Sequence, residues 1–162
     1  MNWSRLFPAA TEYEGPLPPF YFLILVAAAS SIRSLIHMFL ADGGAGLIAG
    51  IDVSVDGGRN IIAMFGQWGA SQLILALLYW VVIVRYRSLT SLMLAVVALE
   101  QVLRLVVGQI KPLDVVSPPP GAVGSELLLP VAVIALVWSL WGRPNAEPVP
   151  SSKPLKTKKR KY

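Results

Sequence analysis

Four long apolar runs, separated by short polar segments, set the pattern of the chain. They cover residues 20–40, 60–84, 88–111 and 122–141. A helix needs about 20 mainly apolar residues to cross the hydrocarbon core of a bilayer, and each run meets that length. The pattern therefore predicts an all-α protein, a four-transmembrane-helix bundle that occupies residues 20–141.

The segment between the first two runs, residues 45–59, does not fit this pattern. It is too short and too rich in glycine to span a membrane. Ile51, Val53 and Val55 alternate with polar residues, as in a short extended strand. A helix half inserted at the membrane interface fits equally well, and Asp-Gly-Gly turns flank the segment on both sides. We therefore predict a short irregular or strand-like outer segment between helices 1 and 2.

The composition agrees with a membrane protein and excludes several kinds of site. Of the 162 residues, 55% are hydrophobic and 14% are charged, whereas a globular domain carries about 25% charged residues. The chain has no cysteine and one histidine, which excludes disulfides, thiolate metal sites, iron–sulfur clusters and bis-histidine haem within it. It carries no phosphate-binding loop or nucleophile motif. We therefore predict no metal and no cofactor.

Basic residues are distributed unevenly between the segments that connect the runs. If both termini are cytoplasmic, the inner side holds Arg5, Arg85, Arg87, Arg143 and six Lys and Arg residues of the tail, and the outer loops hold Arg59 and Lys111. Lys and Arg accumulate on the cytoplasmic side of membrane proteins. We therefore predict a cytoplasmic segment at residues 1–19 and a basic, disordered cytoplasmic tail at residues 142–162. That tail supplies much of the net charge of +5 and suits an anionic membrane surface, so we expect no nucleic-acid partner.

Ionisable and amide side chains interrupt the apolar runs at similar depths. They are Arg33 and His37 in the first run, Gln67 in the second, Glu100, Gln101 and Arg104 in the third, and Glu126 in the fourth. A charged residue in hydrocarbon costs about 2.5–3.5 kcal/mol, so it persists where it is paired or faces the protein interior. At 1.5 Å per residue, most of these residues lie roughly 6–11 Å from the outer ends of the helices. We therefore predict that acids and bases from all four helices meet in the outer half of the membrane and compensate one another.

Such a cluster has a structural and a functional interpretation. As a structural element it would specify helix packing through interhelical hydrogen bonds. As a ligand site it would head a pocket for a lipophilic molecule, since sites between helices are mainly apolar with a few polar groups. The ligand-binding candidates are Arg33, Arg104, Gln67, Gln101 and Trp68, and the catalytic candidates, if the protein is an enzyme, are Glu100, Glu126 and His37. The arginines would then bind a carbonyl or acidic group, and the catalytic candidates would transfer protons.

The second to fourth runs carry a pattern seen in small bacterial membrane proteins. An acidic residue and an arginine precede the second run, and small residues and a glutamine follow; an arginine lies late in the third run before Lys-Pro, and a glutamate opens the fourth. In this chain these are Asp56, Arg59, Gly66, Gln67, Gly69, Arg104, Lys111, Pro112 and Glu126. The chain thus resembles the DoxX-like group of four-helix membrane proteins, and within it an uncharacterised branch.

This resemblance implies a multi-pass protein of the bacterial inner membrane. Some relatives in the wider group resemble quinone-linked oxidoreductase subunits, and a related superfamily includes sterol isomerases. We therefore predict an integral membrane protein that binds a quinone, isoprenoid or sterol-like lipid, or a partner membrane protein, through its outer polar cluster. The alternatives are a small membrane enzyme of isomerase or cyclase type and an accessory subunit of a respiratory or photosynthetic complex. Besides the bilayer, the partners these hypotheses allow are a lipophilic ligand, another membrane protein or a second copy of the chain.

Overall fold

The computed structural model describes residues 9–113, 115 and 119–141, and within them the protein is all-α. The helices are α1 (Leu17–Phe39), α2 (Gly58–Val84), α3 (Thr90–Ile110) and α4 (Pro120–Ser139). All four are long and apolar enough to cross a membrane. The predicted four-helix bundle is therefore confirmed, with helix ends within three residues of the predicted ones. The protein has the architecture of a multi-pass membrane protein.

Prolines explain why α1 and α4 begin earlier than predicted. Pro18 lies in the first turn of α1, and Pro120 is the first residue of α4. Proline lacks a backbone N–H, but the first N–H groups of a helix have no partner within it, so proline fits there without loss. Pro18 and Pro120 therefore belong to the helices whose first turns they form.

The helices pack as two antiparallel hairpins, α1 with α2 and α3 with α4. Trp80 Nε1–H donates to Ser31 Oγ (3.1 Å) in the first hairpin, and Ser139 Oγ–H donates to Ser91 Oγ (2.9 Å) in the second. The hairpins share one apolar core, made of Leu23, Val26, Ala27, Tyr79, Val82, Ile83, Leu94, Val97, Ala98, Ala132 and Ala135. All of these residues lie in the half of the bundle that contains the start of α1 and the α2–α3 turn. We call this half inner and the opposite half outer.

The outer halves of α3 and α4 have little protein cover. Past Gln101, α3 has no buried residue, and before Ala132 the only buried residue of α4 is Ser125. In the α1–α2 hairpin, by contrast, burial continues outward through Ser34 and Gly69. The shared core of the hairpins therefore lies at the inner end, and the outer halves of α3 and α4 are largely exposed. We call residues 102–110 of α3 and 120–127 of α4 the outer surface.

The segment after α1 consists of consecutive turns from residue 41 to residue 49. Within it, Ile48 N–H donates to Gly44 O (3.2 Å), as in a helical turn. Gly43 and Gly44 have φ angles of 61° and 74°, a left-handed conformation that glycine adopts readily. The irregular outer segment is thus as predicted, but its strand-like alternative is wrong: Ile51, Val53 and Val55 belong to no strand. Ile51 N–H instead donates back to Ala45 O (2.9 Å), which closes a turn within the segment.

Asp42 holds the turns together. Its carboxylate accepts hydrogen bonds from the backbone N–H groups of Leu47 (2.7 Å) and Gly44 (2.8 Å). These bonds, that from Leu47 foremost, hold the pKa of Asp42 below its usual range, since they favour the ionised form. The stabilisation is therefore complete above the pKa of the unfolded chain and is lost as the pH falls through the lower pKa of the folded protein.

The segment before α1 contacts the α2–α3 turn at the inner end of the bundle. Thr11 N–H donates to Arg85 O (2.9 Å), and Arg87 N–H donates to Thr11 O (3.0 Å). Arg87 also forms an exposed ion pair with Glu12 (3.8 Å). The inner-end arginines 85 and 87 are thus on the same side as residues 11 and 12. The predicted tail at residues 142–162, together with Arg5, Asp114 and Arg143, lies outside the described residues.

Candidate functional site

An ion-pair cluster joins α1 and α3 where the apolar core ends. Glu100 Oε1 accepts hydrogen bonds from Arg104 Nη2 (2.6 Å) and Arg104 Nε (2.9 Å). Arg33 Nη2, on the neighbouring helix, lies 3.8 Å from the same oxygen. Glu100 and Arg104 are four residues apart and so share one helix face. A single carboxylate oxygen therefore faces two guanidinium groups.

Arg33 is the more open and the less neutralised of the two arginines. Its side chain is 32% exposed, against 18% for Arg104. Its Nη2 donates to Gln72 Oε1 on α2 (3.0 Å), which is a neutral acceptor. Because Glu100 is already bonded through two nitrogens of Arg104, the longer contact to Arg33 neutralises less charge. Counting full charges, the two arginines and the glutamate leave an excess of one positive charge.

The ring of Trp68 on α2 contacts both arginine side chains of the cluster. The guanidinium carbons of Arg33 and Arg104 lie 5.1 Å and 4.8 Å from the ring centroid. Both distances are within the range of a cation–π interaction, which is strongest for tryptophan. The His37 ring lies 4.8 Å from the same centroid. Trp68 therefore links α1, α2 and α3 at one level of the bundle.

His37 anchors the turns after α1. Its side chain is buried, and its Nδ1 lies 2.7 Å from the carbonyl oxygen of Gly43. A carbonyl oxygen only accepts, so Nδ1 carries the hydrogen and donates it. Gly69 makes this arrangement fit, because a Cβ there would lie 2.7 Å from the Cβ of His37. One ring nitrogen of the histidine is thus engaged in holding the loop.

Three predicted site residues lie away from this cluster. Gln67 is exposed on α2, and Gln101 is buried with its amide near the carbonyl oxygen of Val97 on its own helix (3.4 Å). Glu126 is exposed and forms no ion pair with the described residues.

The depth predicted for Glu126 is nevertheless consistent with the packing of α3 on α4. Ser91 and Ser139 pair across the hairpin, and Arg104 lies 13 residues after Ser91 while Glu126 lies 13 before Ser139. In an antiparallel pair with equal rise this puts Arg104 and Glu126 at one level. At that level Glu126 is nevertheless exposed and contacts none of the charged groups of the cluster within ion-pair distance. The cluster therefore draws on α1, α2 and α3 rather than on all four helices.

Gln72 and Tyr79 belong to the site but were missed in the sequence. Gln72 accepts the hydrogen bond from Arg33. Tyr79 is fully buried, interacts electrostatically with both Glu100 and Arg104, and its hydroxyl has no hydrogen-bond partner among the described residues. Both follow Trp68 at intervals of four and eleven residues, which is the spacing of one helix face. That periodicity is the feature of the sequence from which Gln72 and Tyr79 could have been predicted as site residues.

The arrangement can bind anions and polar head groups. The described residues contain no group of three or more His, Cys, Asp or Glu side chains that could hold a metal ion. Comparison of the chain with family models, curated proteins and solved structures gave no match. The site thus consists of two partly exposed arginines on one tryptophan ring, next to the exposed apolar residues of the outer surface.

Proposed function

We propose that this integral membrane protein binds a lipophilic molecule along the outer surface, with the polar head of that molecule against Arg33, Arg104 and Trp68. The observation that carries the proposal is the position of both guanidinium groups over one tryptophan ring, at 5.1 Å and 4.8 Å. This position coincides with the level at which the shared apolar core of the hairpins stops. Small-molecule sites between helices are mainly apolar with a few placed polar groups, and aromatic and guanidinium groups next to exposed apolar residues match that composition.

The side chains of the outer surface suit a ligand chain or ring of apolar character. Val106 and Val107 of α3 and Val123 and Leu127 of α4 are all exposed in the outer half. In a bilayer such residues contact either lipid or a bound molecule of similar polarity. A ligand with an apolar body would therefore lie along α3 and α4 while its head reaches the arginines.

The acid–base trio proposed for an enzyme is not assembled by the fold. Glu126 is exposed on α4, and His37 donates to the loop carbonyl of Gly43. Glu100 is bonded to Arg104 rather than to either of them. Binding therefore has more support from the geometry than proton transfer does. The resemblance to the DoxX-like group, a place in the bacterial inner membrane and cytoplasmic termini belong to the same proposal, supported by the motifs and charge distribution of the sequence.

The test is to identify what the protein retains from its own membrane. Purified in polymer-bounded native discs, the wild-type protein should carry one lipophilic species enriched over the bulk lipid, as measured by mass spectrometry. Trp68→Ala should lose that enrichment. Trp138→Ala, which removes an exposed tryptophan at the other end of α4, is the matched control and should keep it.

Two outcomes would contradict the proposal. One is a lipid composition identical to that of the surrounding membrane in all three proteins. The other is a stoichiometric second protein in place of a small molecule, which would favour a subunit of a larger complex.

A further inference from the structure

The charge of the cluster narrows the class of ligand. Arg33 and Arg104 contribute two positive charges, and Glu100 contributes one negative charge. Gln72, which accepts from Arg33, is neutral. A net cation at membrane depth costs several kcal/mol unless an anion or water neutralises it. Glu126 lies at the matching level of α4, but it is exposed and forms no ion pair with the described residues.

Arg33 is the group in the cluster that an anionic ligand could neutralise. A guanidinium group has five N–H donors in a planar fork. In Arg33 one of them is used by Gln72, and the contact to Glu100 is 3.8 Å long. The side chain remains 32% exposed. The remaining donors match the paired oxygens of a carboxylate or a phosphate, which guanidinium groups bind bidentately.

A second, independent feature points to the same place. The Tyr79 side chain is completely buried, and its hydroxyl has no hydrogen-bond partner among the described residues. A buried polar group without a partner costs about 1–3 kcal/mol. Tyr79 lies within electrostatic range of Glu100 and Arg104, on the side of the ion pair that faces the apolar core. A polar group close to the ion pair is therefore left unsatisfied by the described residues.

We propose that the ligand is an anionic amphiphile, whose carboxylate or phosphate oxygens bind Arg33 and whose apolar chain lies along the outer surface. This inference rests on the proposed function, because it specifies the head group of a molecule bound at that site. Two sources have this chemistry: a phospholipid of the bilayer and a free single-chain amphiphile. In either case the head group supplies the negative charge that the cluster lacks.

The experiment compares head groups on one apolar chain. The protein is placed in nanodiscs of phosphatidylcholine, and quenching of tryptophan fluorescence is measured against three brominated probes: an alkyl phosphate, the corresponding neutral alcohol and a phosphatidylglycerol. Trp68→Phe identifies the part of the signal that comes from the site. The alkyl phosphate should bind more tightly than the alcohol, and phosphatidylglycerol shows whether a bilayer lipid is the source.

Substitutions at Arg33 then separate the effect of its charge on ligand binding from an effect on folding. Arg33→Gln should weaken phosphate binding by about tenfold to a hundredfold, the range of a charge-assisted hydrogen bond, and leave binding of the alcohol unchanged. Arg33→Lys keeps the charge without the fork and should fall between the two. Arg59→Gln removes an exposed arginine at the start of α2, outside the cluster, and should change nothing. If Arg33→Gln does not fold, the comparison of the phosphate and alcohol probes on the wild-type protein still tests whether the site prefers an anionic head group.

The outcomes distinguish this inference from the function on which it rests. Equal binding of alcohol and phosphate, both unaffected by Arg33→Gln, would overturn the anionic head group while leaving a lipophile site in place. No quenching by any of the three probes would overturn the site itself. Preference for the phosphate or for phosphatidylglycerol over the alcohol supports the inference and names the source.

Discussion

Replacing Glu100 by glutamine should be the most destabilising single change in the polar cluster. The substitution keeps the shape of the side chain and removes the only negative charge that contacts either arginine among the described residues. Both guanidinium groups are then left without an anion. Breaking a buried ion pair in this way costs about 3–5 kcal/mol, because a charge remains in an environment of low polarity.

Arg104→Met should cost less, although it removes the shorter ion pair. Glu100 would lose two hydrogen bonds to Arg104, at 2.6 Å and 2.9 Å, but would still have Arg33 within 3.8 Å. One acid and one base then remain and can approach each other, so we expect about 1.5–3 kcal/mol. The double variant should cost less than the sum of the two single changes, because the second substitution removes a charge that the first left unpaired.

The assay is reversible unfolding in mixed micelles of increasing dodecyl sulfate content, followed by far-ultraviolet circular dichroism. Glu126→Gln is the matched control, since Glu126 lies at the level of Arg104 but is exposed and outside the cluster. It should change stability by less than about 0.5 kcal/mol, as surface substitutions usually do. A control as costly as Glu100→Gln, or a Glu100→Gln variant more stable than Arg104→Met, would refute this account of the charges.

Two further predictions concern the loops. Since hydrogen bonding lowers the pKa of Asp42, its stabilising effect is present at neutral pH and is lost on acidification; Asp42→Asn should therefore flatten the acid limb of the stability–pH curve, and the exposed Asp56→Asn should not. If the termini are cytoplasmic, a cysteine at Ser54 in the outer loop should react with a membrane-impermeant maleimide in intact cells, and one at Ser88 only after lysis. Labelling of Ser88→Cys alone in intact cells would invert the orientation, and the natural chain, with no cysteine, gives no background.

The helices could be predicted from the sequence because each is dictated by local chemistry. An apolar run of membrane length has to satisfy its backbone hydrogen bonds internally, and a helix does so wherever the segment is placed. The prediction of the Glu100–Arg104 pair succeeded for the same reason, since a spacing of four residues fixes neighbours on one helix. The turn after α1 was also local, apart from the choice between irregular and strand-like structure.

Which charged groups meet was decided by tertiary structure. Residue numbers determine how deep a side chain lies, but its direction depends on how each helix is rotated about its own axis. That rotation is set by packing over the whole helix face. It places Arg33 beside Glu100 and the Trp68 ring against both guanidinium groups. It leaves Glu126 exposed and outside the cluster.

By itself, then, the sequence determined the four helices, their approximate ends and the depth of every polar side chain, because these follow from hydrophobicity and a constant rise per residue. Only the tertiary structure decided that the shared core lies at the inner end and leaves the outer halves of α3 and α4 largely exposed. It also decided that the buried Tyr79 lies within electrostatic range of the charged groups. Both depend on contacts between distant segments, which no local pattern encodes.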